Sequence, residues 1–309
     1  MLRLGLCCLF VEAPIRFRIT TVRYVASLAK KNISHLSHLG NLVESNLQNL
    51  ILAIQFCSDH GIGAFRIHSN LMPIATHPEW GYKLKDLPNA NQIMLLGQQV
   101  KQKALECDIR LTFHPDQFVV LNSPDEKIVD KSIAELEHHG LMAEMLGADV
   151  INIHGGGGYG DKKAAINRFS KNFRKLSKDV QKRLTVENDD KIFTPEELLP
   201  LCSDIGIPLV YDVHHHRCLS DTLSIEQATE KALETWNREP LFHLSSPKEG
   251  WTGPKPHMHH DFINPEDMPE VWAHIPSFTL DVEAKKKEVA VLEFQAALIK
   301  KGYQLKGLL

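Results

Sequence analysis

The sequence predicts a (β/α)8 barrel, read as one TIM-barrel domain over residues 1–309. Two observations carry this. Eight short apolar or alternating runs recur with longer amphipathic stretches between them, and no Ser/Gly-rich linker divides the chain. A doubly wound open sheet is the structural alternative, but no G-x-G-x-x-G follows the first run. Composition is that of a globular domain, with 43% apolar, 24% charged and 7% aromatic residues, which excludes disorder, collagen-like repeats and coiled coil.

The first run, RLGLCCLF at 3–10, resembles a short secretory h-region behind Arg3. No A-x-A pattern follows, and the chain runs into a basic stretch at 16–23, so a buried strand is the better reading. An amphipathic stretch at 44–60 follows, with Gly61 suited to a helix C′ position. AFRIHS (64–69) pairs with 90–107, IRLTFH (109–114) with 125–147 and its Gly147 stop, and DVINIH (149–154) with 161–181. Four glycines at 155–158 follow that fourth strand but lack the G-K-[ST] of a phosphate loop, so they read as a flexible turn at the barrel mouth. LTVEN (184–188) precedes 194–205, which Thr194, Pro195, Glu196 and Glu197 open as N-cap, first-position proline and acidic turn. PLVYDVH (208–214) with 223–236, LFHLSS (241–246) with 264–274, and FTLDVEA (278–284) with 285–301 complete the eight units.

The chemistry lies where the strands stop being apolar. Strands three to six end in His114, His154, Glu187 and Asp212, strand seven carries His243, and strand eight carries Glu283. Barrel sites form at the C-terminal strand ends, so these six side chains converge on one mouth. A lone strand histidine is more often a hydrogen-bonded core residue. Three imidazoles and three carboxylates buried together with nothing between them would cost several kcal/mol per charge, however, and divalent cations resolve that cost. The chain has 17 histidines, and several more are candidates. In the stretch Asp212-Val213-His214-His215-His216, a regular strand would pair Asp212 with His214 and His216; His215 joins only if the chain has already turned. His77 lies in the loop after strand two, and His257, His259, His260 and Asp261 lie in the loop after strand seven.

A net charge of −3 gives no bulk attraction to nucleic acid, so any polyanion must meet metals or a local patch such as Arg16, Arg18, Arg23, Lys162 and Lys163. Six cysteines without CxxC spacing read as reduced thiols of an intracellular protein, and no apolar run reaches the ~18 residues of a membrane span.

These motifs resemble the UV damage endonuclease family, related in fold and metal site to endonuclease IV-type apurinic-site nucleases. The matching stretches run in family order across nearly the whole chain: RLGLC (3–7), FRIHSNLMPIATHP (65–78), LTFHPDQFVVLNSP (111–124), INIHGGGGYGDK (151–162), LTVENDD (184–190), LVYDVHHH (209–216), HLSS (243–246), HHDFI (259–263) and DVEAKKKE (281–288). The resemblance implies a metal-dependent repair endonuclease that nicks duplex DNA 5′ of UV-damaged dinucleotides, leaving a 3′-hydroxyl and a 5′-phosphate. It implies metal ligands His77, His114, His154, Glu187, Asp212, His215, His243, His259 and Glu283, with catalytic roles for Glu187, His243 and Glu283. Two or three divalent ions per chain follow, Mn first, with Zn, Mg or Co as alternatives. The implied partner is double-stranded DNA carrying photoproducts or other lesions, met by a monomer in the cytoplasm, at the nucleoid when acting on DNA.

Gln117 and Phe118 match the family pair that inserts into the duplex, with phenylalanine where tyrosine is common. Leu6 stands at a family tyrosine that helps hold or probe the damaged site. Leu241 replaces a family lysine, carboxylated to serve as a ligand, two residues before His243. Alternation turns Leu241 toward the cluster, leaving one cation with fewer protein ligands; the other reading packs it in the barrel layer beneath. Two competing functions share these features. A metal-dependent sugar isomerase would show a closed, substrate-sized pocket, and a lesion-binding protein with chemistry weakened through Leu6 and Leu241 would bind without nicking.

Overall fold

The computed structural model describes residues 1–307; the last two residues of the expected domain lie outside the described residues. Eight parallel strands close in sequence order: β1 (Leu2–Cys7), β2 (Ala64–Ile67), β3 (Arg110–Phe113), β4 (Val150–His154), β5 (Leu184–Glu187), β6 (Leu209–Asp212), β7 (Leu241–Leu244) and β8 (Phe278–Val282), with β8 pairing back onto β1. All eight expected strands are present, and the fold is a (β/α)8 barrel. Its closure is long: five register pairs, from Leu2 with Phe278 to Leu6 with Val282, join first and last strands.

The helical layer differs from expectation in four places. The 44–60 stretch is the second half of a longer α2 (His35–Asp59), preceded by α1 (Val22–Lys30) in the region read only as basic. Thr21 and Ser34 cap these two helices by accepting from the N–H groups of Tyr24 and Ser37. Helices α3 (Ala90–Glu106) and α4 (Glu126–Leu146) follow the sequence, and Gly147 closes α4 in the left-handed region at φ 81°. The 161–181 stretch splits into α5 (Lys162–Phe173) and α6 (Lys178–Gln181), because Ser177 takes an extended conformation and caps a new turn. Thr194 and Glu197 form the reciprocal capping box of α7 (Pro195–Ile205). The short α8 (Val213–Cys218) starts directly at the end of β6, with no intervening loop. After α9 (Ile225–Glu234), the 264–274 stretch is two 3-10 turns, since Pro269 between them interrupts a continuous helix. Helix α10 (Lys287–Lys300) closes the fold.

Two cores result from the alternation of each strand. Outward side chains such as Leu4, Leu6, Phe65, Phe113 and Val186 merge with the helices into one continuous apolar layer. Inside the barrel, Val150, Val210 and Leu241 form a small separate cluster packed by Trp236. Below it, at the N-terminal end, Arg3 binds Glu239 at 3.0 Å, and Arg110 binds Asp149 at 2.9 Å and the Thr279 hydroxyl at 3.0 Å. This charged floor stabilises the barrel and leaves the opposite mouth to chemistry. Among the described residues, no helix is long and apolar enough to cross a membrane.

Helix α4 seats the ring of His139 edge-on to Phe113 at 5.3 Å, with its Nδ1–H donated to the Glu135 carbonyl at 2.9 Å. Burial lowers His139 to about 4, whereas an unfolded histidine titrates near ~6.5. The neutral ring therefore contributes stability that is complete above that higher value and is lost as pH falls toward the lower one. His139→Asn can keep the carbonyl bond without titrating. Urea unfolding as a function of pH should show the acid-side slope shallower in the variant by up to about 1.4 kcal/mol per pH unit; identical slopes would refute the assignment.

Candidate active site at the barrel mouth

Strands β3 to β8 carry inward polar side chains at or beside their C-terminal ends, and the carboxylate of Glu187 lies at their centre. Its Oε2 accepts from Asn152 Nδ2 at 2.6 Å and lies 2.9 Å from His114 Nε2. Its Oε1 lies 3.2 Å from His243 Nδ1 and 3.4 Å from His215 Nδ1. Burial works to raise this carboxyl, but His243, His154 and the hydrogen bonds of His114 and His215 hold it well below the usual range. Burial pulls His243 down, while Glu187 and Glu283 push it up to about 9.

The β6–α8 junction settles which member of the histidine run joins. Asp212 is both the last strand residue and the helix N-cap: its Oδ1 accepts the His215 N–H at 2.8 Å. One helical turn then brings the His215 ring back, Nδ1 lying 3.5 Å from Asp212 Oδ2. His216 points elsewhere, to the Asp221 carboxylate at 3.0 Å and the Tyr211 hydroxyl at 2.7 Å. His214 is buried, with its Nδ1–H donated to the Ser245 carbonyl at 3.2 Å and its ring 5.2 Å from that of His259.

Three overlapping groups put donor atoms within 4.8 Å of one another: His114, Glu187 and His243; Glu187, Asp212 and His215; Asp212, His243 and Glu283. The donor set fits divalent cations on two further counts. Asp212 Oδ2, both nitrogens of His243 and His154 Nδ1 are buried without hydrogen-bond partners among the described residues. His114 and His215 each commit Nδ1 to a backbone carbonyl, of Pro115 and Asn188 respectively, at 3.0 Å. That leaves Nε2 of each as the basic nitrogen a cation takes. His154 lies beside these groups, 5.0 Å from His114 between ring centroids, and His259 Nδ1 lies 3.7 Å from Glu283 Oε2.

Two sequence candidates fall outside the cluster. His77 uses Nδ1 to accept the N–H groups of Glu79 and Trp80 at 3.2 and 3.1 Å, capping its own turn, and no ligand-distance group contains it. Leu6 is fully buried on the outward face of β1 within the helix–barrel core, so it has no surface to offer DNA. The inward neighbour is Cys7, paired in register with Arg66. Leu241 faces inward as alternation requires, but packs against Val150, Val210 and Trp236 beneath the cluster. Phe118 is 77% exposed while Val119 and Leu121 are buried, which separates the aromatic tip from the apolar run that follows it. Lys162 is committed to Glu197 at 2.8 Å.

The sequence reading missed Asp281 and Arg66. Asp281 is fully buried, one inward position below Glu283, and alternation back from Glu283 was the available signal. Gly5 makes room for it: a Cβ there would lie 2.1 Å from Asp281 Oδ1. Arg66 donates to Glu283 Oε1 at 2.6 Å and to Cys7 Sγ at 2.5 Å, and stands 3.5 Å from Asp281 Oδ2. Burial raises the Glu283 carboxyl, but Arg66 and then His243 hold it well below its ordinary range. Two cavities, of about 560 and 770 Å³, meet at His114, His259 and Glu283. The first is lined by Arg66, Lys285 and Lys287, the second by Gln117, Phe118 and Tyr159.

An eight-stranded parallel barrel with histidines and carboxylates gathered at the C-terminal mouth is the architecture of an enzyme. Known proteins specify which. The model of the family described as UV-endonuclease UvdE matches residues 2–304, and the chain belongs to that family of DNA repair endonucleases. It is 32% identical over 298 residues to the UV DNA damage endonuclease of Bacillus velezensis, covering 92% of this chain and 89% of the relative. The crystal structure of SacUVDE superposes with a TM-score of 0.87 at 29% identity, over 98% of this chain and 100% of that one. Endonuclease IV from Thermus thermophilus shares the fold, with a TM-score of 0.58 at 20% identity over 81% of this chain and 94% of its own.

Arg66 is the one guanidinium facing Asp281 and Glu283 from within 4 Å among the described residues. Replacing it with methionine leaves these buried carboxylates with imidazoles as their cationic neighbours. Urea unfolding in the presence of chelator should show Arg66→Met about 3–5 kcal/mol less stable than wild type. A loss within about 0.5 kcal/mol, the range of a neutral surface change, would refute this role.

Proposed function

We propose that the chain nicks duplex DNA immediately 5′ of UV-damaged dinucleotides, leaving a 3′-hydroxyl and a 5′-phosphate, in a reaction that depends on divalent cations. The observation that carries this reading is the convergence of His114, Glu187, Asp212, His215, His243 and Glu283 within ligand distance in three overlapping groups. His154 and His259 complete the set, for two or three ions, manganese first. Bound divalent cations lower the pKa of a water and stabilise charge on a phosphate and its leaving oxygen.

The chain's own groups prepare the site. Asn152 fixes the orientation of Glu187 by donating to its Oε2, so the carboxylate meets the mouth without rearrangement. Arg66 keeps Glu283 ionised. Gln117 and Phe118 project beyond the strand end, where a planar amide and an exposed ring suit the gap left when weakly stacked damaged bases are displaced. The protein is read as a monomer acting in the cytoplasm, at the nucleoid when engaged with DNA. Leu241 packs beneath the cluster against Val150, Val210 and Trp236, so the cations are held by the histidines and carboxylates above it. An isomerase would need a sugar-sized enclosure; an exposed phenyl ring on the rim of a groove formed by two merging cavities favours a polymer instead.

Glu187→Gln is nearly isosteric but a much poorer ligand. Nicking of a single-photoproduct duplex with Mn²⁺ should fall at least about 100-fold, with far-UV circular dichroism unchanged and fewer ions bound by metal analysis. Wild-type nicking by a fully metal-loaded variant would remove Glu187 from the site. The Gln117→Ala, Phe118→Ala double variant should bind metal normally yet lose most of its preference for damaged over intact duplex, a change of about 10-fold or more if stacking is lost. Unchanged discrimination would refute the wedge.

A further inference from the structure

We propose that Tyr159 is a further base-contacting side chain, presented by the tetraglycine turn to stack on a nucleobase of the bound DNA; this rests on the DNA-nicking reading above. The turn differs from the flexible connection expected of four glycines. Asn122, fully buried, donates its amide to the carbonyls of Gly155 and Gly157 at 2.7 and 2.8 Å and so pins the turn to the loop that follows β3.

Tyr159 departs from what this turn would ordinarily select. Its backbone lies in the left-handed region at φ 48°, uncommon and costly for a bulky side chain, although glycines flank it on both sides in sequence. Such strain persists where the surroundings hold it, and here they do. The Arg168 guanidinium lies 5.6 Å from the ring centroid, and its Nε is anchored to the Asn122 carbonyl at 2.8 Å. Gly157 supplies the space: a Cβ there would lie 2.8 Å from the ring carbon that bears the hydroxyl. The ring thus has support on one side while the residue remains 48% exposed. A buried-core role does not account for that exposure.

The position gives the ring its partner class. Tyr159 lines the same 770 Å³ cavity as Gln117, Phe118 and the cluster residue His154. An exposed aromatic ring backed by a guanidinium offers a flat apolar face at little entropic cost, which suits a heterocyclic base rather than a phosphate. Phe118 and Tyr159 come from turns after β3 and β4, so bases displaced from the stack meet aromatic rings on two separate supports.

The test uses the full chain and a duplex bearing one cyclobutane dimer, with 2-aminopurine beside it as a reporter whose emission falls on stacking. Tyr159→Ala should bind this duplex about 10-fold more weakly and lose part of the 2-aminopurine quench, while Tyr159→Phe retains both. Gly157→Ala, which keeps the tyrosine but fills the space beneath its ring, should resemble Tyr159→Ala. Thermal melts of all three identify any variant that fails to fold. Wild-type affinity and quench in Tyr159→Ala overturn the inference alone, as does an equal loss in Tyr159→Phe, which would assign the effect to the hydroxyl. Failure of the wild-type protein to bind or nick the damaged duplex overturns the proposed function and this inference together.

Discussion

The structure depends on keeping one carboxylate, that of Glu187, ionised inside a barrel. Desolvating it is expensive, and the surrounding architecture reads as the compensation. Asn152 comes from the neighbouring strand, two residues before His154, which pairs in register with Glu187 across β4 and β5. His114, His215 and His243 arrive from three further strand ends. Because parallel strands in a closed barrel finish at one rim, residues far apart in sequence meet without long loops. The rim then supplies a group of nitrogen and oxygen donors whose unpaired members are buried, the arrangement a cation stabilises.

A second constraint follows on the β1–β2–β8 side. Arg66 offsets Asp281 and Glu283 and also touches Cys7, making that flank of the mouth a compact charged unit. The opposite flank, after β3 and β4, carries rings and an amide instead. Because Lys285 and Lys287 also line the first cavity, the groove has a basic side and a stacking side, with the cluster between them. This division matches the two parts of a nucleic acid, a charged backbone and flat bases, in a chain whose net charge is negative.

Much of this was legible in the sequence because strand alternation and barrel topology are periodic. Eight runs and six polar strand ends follow from counting by twos. What escaped was what periodicity does not encode. The choice among His214, His215 and His216 turned on whether the strand continues, and Asp212 acting as a helix N-cap ended it. Leu6 was assigned to DNA by resemblance, but its side of the strand faces the helices, while the mouth side belongs to Cys7. His77 lies near the mouth in sequence, yet its ring nitrogen is engaged by its own turn. Arg66 carries no sequence signal, because a basic residue in a short strand has no pattern; the three-dimensional convergence of acids around it explains its burial.

The direct passage from β6 into α8 has a consequence for how this enzyme can vary. Asp212 fixes the first turn through its own side chain, so the spacing from Asp212 to His215 is set by the α-helix at about 100° per residue. One residue inserted there would swing the imidazole about a third of a turn away from Glu187, and no slack in the chain absorbs the error. Within the irregular segment after β7, the mostly exposed stretch 248–256, ahead of His259, can lengthen or shorten with little effect on the barrel. Natural length variation should accordingly concentrate after β7 and be nearly absent between residues 209 and 218.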